Sequence, residues 1–231
     1  MKLIITGSAI LASVANAGLS TISEDLGLLV AQNSSMWDDR SITAMLGNMG
    51  SVIDTYGCWC YFDEKHGQGK GHPVNSIDKI CRDMAHGYDC AIMDAAADGD
   101  NDCVPWEVNY VGGSGQGLDN LVANCDANNA NVCEAAACKI EGNFVLTFFQ
   151  MFLLSGIGSI DNAFNHESGY DPVVNCPMVA GMPDSDRECC GEQPFRYMYK
   201  PFGGAKECCG STVFSAAVQQ CCPDNVPRIS C

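Results

Sequence analysis

His86 and Asp89 stand three residues apart in the run His86-Gly87-Tyr88-Asp89-Cys90, a spacing that puts both side chains on one face of a helix. A positioned imidazole can take or return a proton, and carboxylates with backbone carbonyls are the ligands that hard cations prefer. A lone histidine near a helix end is more commonly a solvated or structural residue, so both readings of His86 stay in view. Upstream, Tyr56-Gly57-Cys58-Trp59-Cys60 forms a tight turn, followed by Asp63 and Glu64 and then a loop rich in Gly and polar residues. Glu141 lies far downstream, in a second helical pattern.

The elements that must position these groups are legible from periodicity. Ser76 to Ala97 reads as a helix, capped by Asn75 or Ser76, with Ile77, Ile80, Cys81, Met84, Tyr88, Ala91 and Ile92 on one apolar face. Asp98-Gly99-Asp100-Asn101-Asp102 breaks it. Counted as an EF-hand loop from Asp98, Cys103 stands where Gly is needed and Asn109 where Glu is needed, so an exposed acidic turn is expected. Ser41 to Ile53 has helical spacing. Val104 to Val111, with Trp106, Val108 and Tyr110 alternating with polar residues, reads as a strand, and Gly112 to Gly117 as a turn. Leu118 to Gln150 carries a second long helix. Asn143 to Ile160 is nearly free of charge, but Thr147, Gln150, Ser155, Gly156, Gly158 and Ser159 interrupt it, so a buried helix continuing the core is expected rather than a membrane span.

Composition bounds the compartment and the partners. Lys2, the apolar run Leu3 to Val14 and the small-x-small site Ala15-Asn16-Ala17 read as a signal peptide over residues 1–17, which implies a secreted chain with no transmembrane segment once cleaved. The 16 cysteines then read as a disulfide framework, and none of the four histidines stands at a zinc-ligand spacing from a cysteine pair. A net charge of -16 excludes generic nucleic-acid binding and disfavours docking on anionic membranes, whereas calcium or a mineral phase is compatible with it. Asn33-Ser34-Ser35 is a glycosylation sequon.

The Tyr56–Cys60 turn, the approach Gly71-His72-Pro73-Val74-Asn75-Ser76-Ile77-Asp78 and the second-helix run Cys138-Lys139-Ile140-Glu141 together resemble the secreted phospholipase A2 family, over roughly Ser41 to Phe149. The family core reads Y-G-C-x-C-G-x-G-G, G-x-P-x-D-x-x-D, C-C-x-x-H-D-x-C-Y and, on the second helix, C-x-C-D-x-x-A-A-x-C. The resemblance implies a mainly α, disulfide-rich fold: two antiparallel helices and a small β-wing, with a Cys-rich tail added here. It implies Ca2+ held by the carbonyls of Trp59, Tyr61 and Asp63 together with a helix carboxylate. It also implies a bridge from Cys58 to Cys176 tying the loop to the C-terminal part. Where the family has glycines in the loop, this chain has Tyr61, Phe62, Asp63 and Glu64.

Two registers of the first helix are open. With Cys81 as the second Cys of C-C-x-x-H-D, Met84 and Ala85 replace the His and Asp, Tyr88 falls on the motif's Tyr, and Ile80 and Gly87 face Thr147 and Ile140 where two family bridges would be. In that register no hydrolysis is expected. Shifted by two residues, His86 becomes the general base, Asp89 reaches the calcium and Glu141 orients the imidazole. The expectation is then a secreted, calcium-dependent phospholipase A2-like protein that hydrolyses the sn-2 ester of glycerophospholipids at a membrane surface. The alternative is a catalytically silent relative that binds calcium or serves an extracellular or mineral matrix.

The domains expected are residues 18–175, phospholipase A2-like, and 176–231, the tail. In the tail Glu188-Cys189-Cys190-Gly191 recurs as Glu207-Cys208-Cys209-Gly210, with Phe195 and Phe214 at equal offsets and a third pair at Cys221-Cys222, resembling the di-cysteine repeats of galaxin-type matrix proteins. Eight cysteines precede residue 150 and eight follow it, which permits two separately closed modules, a split that the Cys58–Cys176 bridge would break.

Overall fold

The first described helix starts where Asn75 offers its side-chain oxygen to the backbone N–H groups of Ile77 and Asp78. A short polar side chain in extended backbone satisfies donors that have no partner within the helix, which is why the chain begins to coil there. This is α1, Ser76–Ala97. It ends at Asp98, followed by Gly99 at φ +91°, a conformation that costs glycine little. The Asp98–Asp102 turn is exposed, as its composition predicts. The computed structural model describes residues 55–61, 66–111, 122, 124–155, 160–177 and 186–231. The expected signal peptide, the sequon, the Ser41–Ile53 helix, Asp63 and the Gly112–Gly117 turn lie outside the described residues.

The second helical stretch is two elements, not one: α2, Cys125–Asn128, and α3, Val132–Ser155. Asn131 restarts the chain as a helix by accepting the Glu134 N–H at 2.8 Å. α1 and α3 pack face to face. Ile77, Cys81, Met84, Tyr88 and Ala91 meet Ala136, Ile140, Phe144, Val145, Phe148 and Phe149, all buried, and Tyr56 and Cys60 close the end of this core. Burying a side chain of Leu or Phe size contributes roughly 1.5–3 kcal/mol, so this cluster is the main apolar reserve of the described fold.

Val104 to Val111 is not a strand. Residues 105–107 form a turn and 108–111 an irregular segment, pinned by Cys103–Cys133 and by Asn129, whose side chain accepts the Val111 N–H at 2.7 Å. Alternation of apolar residues resembled a strand, but no partner strand is present among the described residues to complete a ladder. Tyr110 points inward for a different reason: its hydroxyl has a carboxylate to reach. A segment from Ile160 to Cys176 folds back on the Tyr56–Cys60 turn, Gly57 N–H donating to Phe164 O at 2.9 Å and His166 N–H to Thr55 O at 3.1 Å. It ends in the single-turn helix α4, Pro172–Asn175.

The tail is a string of three two-stranded antiparallel hairpins: β1 (Glu188–Cys190) with β2 (Tyr197–Tyr199), β3 (Lys206–Cys209) with β4 (Thr212–Ser215), and β5 (Gln220–Cys221) with β6 (Pro227–Arg228). Adjacent residues of a strand point to opposite faces, so the two cysteines of each pair must find different partners. They do so in relay: Cys190–Cys208 and Cys209–Cys221 link each pair to the next, and Cys222–Cys231 ties the third pair to the last cysteine. Sheets of two short strands are marginal alone, and the bridges supply what a core does not. The paired phenylalanines diverge, Phe214 being buried and Phe195 exposed.

All 16 cysteines are bridged. Cys58–Cys176 and Cys90–Cys189 run between the two halves of the cysteine set, so it does not divide into two separately closed modules. The second of these bridges, with Arg196 Nη2 donating to Asp94 Oδ1 at 2.8 Å, holds the first hairpin against α1. Among the described residues no helix is long and apolar enough to cross a membrane.

Candidate functional site

Asp78 sits in the first turn of α1 with no exposed surface, and the Tyr56–Cys60 turn is wrapped around it. Its carboxylate accepts the N–H groups of Cys58 at 2.9 Å, Trp59 at 2.7 Å and Val74 at 2.9 Å. Burial raises its pKa and these three bonds oppose the rise. Gly57 (φ +62°) presses on the same carboxylate so closely that a Cβ there would lie 2.5 Å from Cγ of Asp78. His166 Nε2 meets Gly57 O at 2.8 Å, and Cys60–Cys81 ties the turn to α1. Turn and helix are one rigid unit.

That unit sets which residues of α1 face α3. Met84 and Ala85 are buried, and Gly87 lies against Ile140, where an added Cβ would stand 3.1 Å from Cγ1. One turn further, Tyr88 donates to Glu141 Oε1 and Tyr110 to Oε2, each at 2.6 Å. Glu141 is fully buried, and a buried carboxylate is tolerable only with such donors.

His86 and Glu141 share no described contact. His86 rests edge-on against Trp59, ring centroids 5.1 Å apart, and lines a cleft of about 630 Å³ between α1, α3 and the first hairpin. Burial, then the Arg82 guanidinium, push its pKa down to about 4, and the acids that partly counter this are Asp89 and Asp83. Asp89 lines a different cleft, and its described partner is His66: Nε2 lies 3.2 Å from Oδ1. His66 is packed flat on Trp106 (4.2 Å between centroids) and edge-on to Tyr88. Its Nδ1 is buried with no hydrogen-bond partner. The expected trio of His86, Asp89 and Glu141 is thus distributed over two clefts and a buried tyrosine pair.

The expected calcium ligands divide in the same way. Trp59 O accepts the Tyr61 N–H at 2.9 Å, Asp89 faces His66, and Asp63 lies outside the described residues. The helix position that the Cys81 register assigns to a ligand carboxylate holds Ala85, whose methyl group offers no oxygen. Lys70, Arg187 and Lys200 line the same cleft. Among the described residues no group of three or more His, Cys, Asp or Glu that could hold a metal ion occurs.

His66, Lys70, Arg187 and Lys200 had no role in the sequence reading. Arg187 and Lys200 lie 98 and 111 positions after Asp89, and the Cys90–Cys189 bridge and the Arg196–Asp94 contact bring their hairpin to the helix. The Gly67-Gln68-Gly69-Lys70-Gly71 loop was a visible signal, since close-packed glycines mark a backbone that must approach something. Here Gly69 lies on Trp59, whose Nε1 donates to Gly71 O at 3.1 Å. No protein-family model matches the chain, and no curated protein and no solved structure matches it either.

Proposed function

We propose that this chain is an extracellular, disulfide-rich protein built like a phospholipase A2 but catalytically silent, acting as a binding or matrix scaffold. The observation that carries the reading is the Cys81 register. The Cys60–Cys81 bridge, the Gly87–Ile140 contact and the Tyr88–Glu141 bond agree on it, and it puts Met84 and Ala85 where the resemblance expects the base and the metal-binding acid. A thioether and a methyl group can neither take a proton from water nor hold calcium. The eight bridges fit an oxidising compartment, and the relay of tail cystines favours a durable extracellular part.

The shifted register, with His86 as base, gains little support, since His86 has Trp59 and not Glu141 beside it. The test is sn-2 fatty-acid release from mixed phospholipid vesicles by the fully oxidised protein, with calcium or with excess chelator. No release is expected, and none from His86→Ala. Calcium-dependent release that His86→Ala abolishes would overturn the reading.

A further inference from the structure

We propose that the cleft between α1, α3 and the first tail hairpin binds a small uncharged molecule, a flat apolar body carrying a hydroxyl group that bonds to His86. The cleft holds about 630 Å³, within the size range of small-molecule sites. Its helix walls are apolar, with Ile80 and Met84 one turn apart on α1 and Ile140 and Phe144 one turn apart on α3. The hairpin closes the third side with Pro194, Phe195 and Met198. Phe195 is 71% exposed at this edge, a large apolar surface left in water.

The polar groups of the lining set the ligand's chemistry. Its charges are already ion-paired: Lys79 and Arg82 with Asp83, and Arg196 with Asp94. No unpaired charge is left to call for a charged ligand. Three polar side chains remain, His86 on α1 and Asn143 and Thr147 on α3, and no hydrogen bond among the described residues takes them up. The contact of His86 is the edge-on ring of Trp59, and burial keeps its imidazole neutral near neutral pH. A neutral imidazole offers one donor and one acceptor, which a single hydroxyl can meet from either side. Asn143 and Thr147, at i and i+4, share a face of α3. The hairpin is held over the helices by Cys90–Cys189, by Arg196 on Asp94 and by Gln193 Nε2, which donates to Gly87 O at 3.3 Å. The cleft is thus preformed, and a ligand need not order it.

Such a ligand gives the binding scaffold proposed above its substrate class and rests on that reading, yet the two fail separately: vesicle hydrolysis bears on the scaffold, ligand affinity on the cleft. The experiment is equilibrium dialysis of the oxidised full chain with 2-naphthol, naphthalene and 2-naphthoate, three probes that share one ring system. One-site binding of 2-naphthol is expected, about tenfold tighter than either of the others. His86→Phe, which keeps a ring but no hydrogen bond, should lower 2-naphthol to the affinity of naphthalene. Phe195→Ser, at an exposed position whose loss leaves the core intact, should weaken 2-naphthol and naphthalene alike. Ile229→Ser, which removes an apolar side chain 85% exposed elsewhere in the tail, should change nothing. Absence of saturable 2-naphthol binding overturns the proposal, as does naphthalene or 2-naphthoate binding as tightly. Equal weakening by Ile229→Ser also overturns it, since that would mark adhesion to any exposed apolar surface.

Discussion

Gly87 and Ile140 touch across the two long helices, so closely that a side chain at residue 87 would have its first carbon 3.1 Å from Ile140 Cγ1 and 3.3 Å from Cγ2. A disulfide needs Cβ atoms about 3.5–4.5 Å apart, a separation this contact allows. The double substitution Gly87→Cys and Ile140→Cys should therefore form a ninth bridge beside the eight native ones, read by mass spectrometry of a non-reduced digest linking the two peptides. Two free thiols in a folded double variant would show that the helices pair in another register.

Asp78 fixes the turn that precedes α1, and its removal should be among the most damaging single changes in the chain. Asp78→Ala leaves three backbone N–H groups without this acceptor, that of Cys58 buried and those of Trp59 and Val74 half-buried, at about 1–3 kcal/mol for each that no water reaches. A loss on the order of 4 kcal/mol is expected in denaturant unfolding. A midpoint shift worth under about 1 kcal/mol would contradict the geometry.

Glu141 joins two tyrosines rather than a histidine. Glu141→Gln retains one acceptor and puts an amide donor against a hydroxyl, so one tyrosine must reverse its bond. The expected cost is about 1–2 kcal/mol by chemical denaturation, and Glu141→Leu, which removes the carboxylate acceptor from both hydroxyls, should cost more. Equal stability of all three proteins would dissociate Glu141 from the tyrosines.

Stability should fall in acid through His86. Its folded pKa is pushed down to about 4, below the unfolded value near 6.5, so the unfolded chain takes up the proton first. The contribution of the neutral ring is complete above about pH 6.5 and is lost as pH falls toward 4, by up to about 3 kcal/mol. The difference in stability between wild type and His86→Gln should change across that window and be flat above it. A difference independent of pH, or an imidazole titrating near 6.5 by NMR, would refute the burial argument.

Cys90–Cys189 is the strap between helix and tail. Replacing both cysteines by serine should leave the α1–α3 core folded, since its contacts do not pass through the tail, while residues 186–200 gain hydrogen exchange. The stability lost should be about 2–4 kcal/mol, because Cys58–Cys176 already shortens the loop that this bridge closes. Unchanged protection of the hairpin would mean that the Arg196–Asp94 contact alone suffices.

Much of the framework was written locally. The cap at Asn75, the span Ser76–Ala97 and its buried stripe follow from side chains a few residues apart, as does the acidic turn after it. The strand expected over 104–111 failed because alternation records which side chains turn inward, not whether a second strand is present to receive the backbone. Likewise a single helix from Leu118 overlooked Asn129 and Asn131, whose side chains compete for backbone partners and restart the coil.

For the candidate site the division is sharper. By itself the sequence determined the bridged, acidic character of the chain, the first helix and the period of the tail, because cysteine count, charge and short-range hydrogen bonding need no knowledge of distant residues. Which cysteine meets which, that Glu141 answers to Tyr88 and Tyr110, and that His66, Lys70, Arg187 and Lys200 share one cleft were decided only by tertiary structure. The Glu141 bonds join positions 53 and 31 residues apart, and Arg187 and Lys200 lie more than 100 residues from His66. At such separations no periodicity survives, and packing and covalent closure alone choose the neighbours.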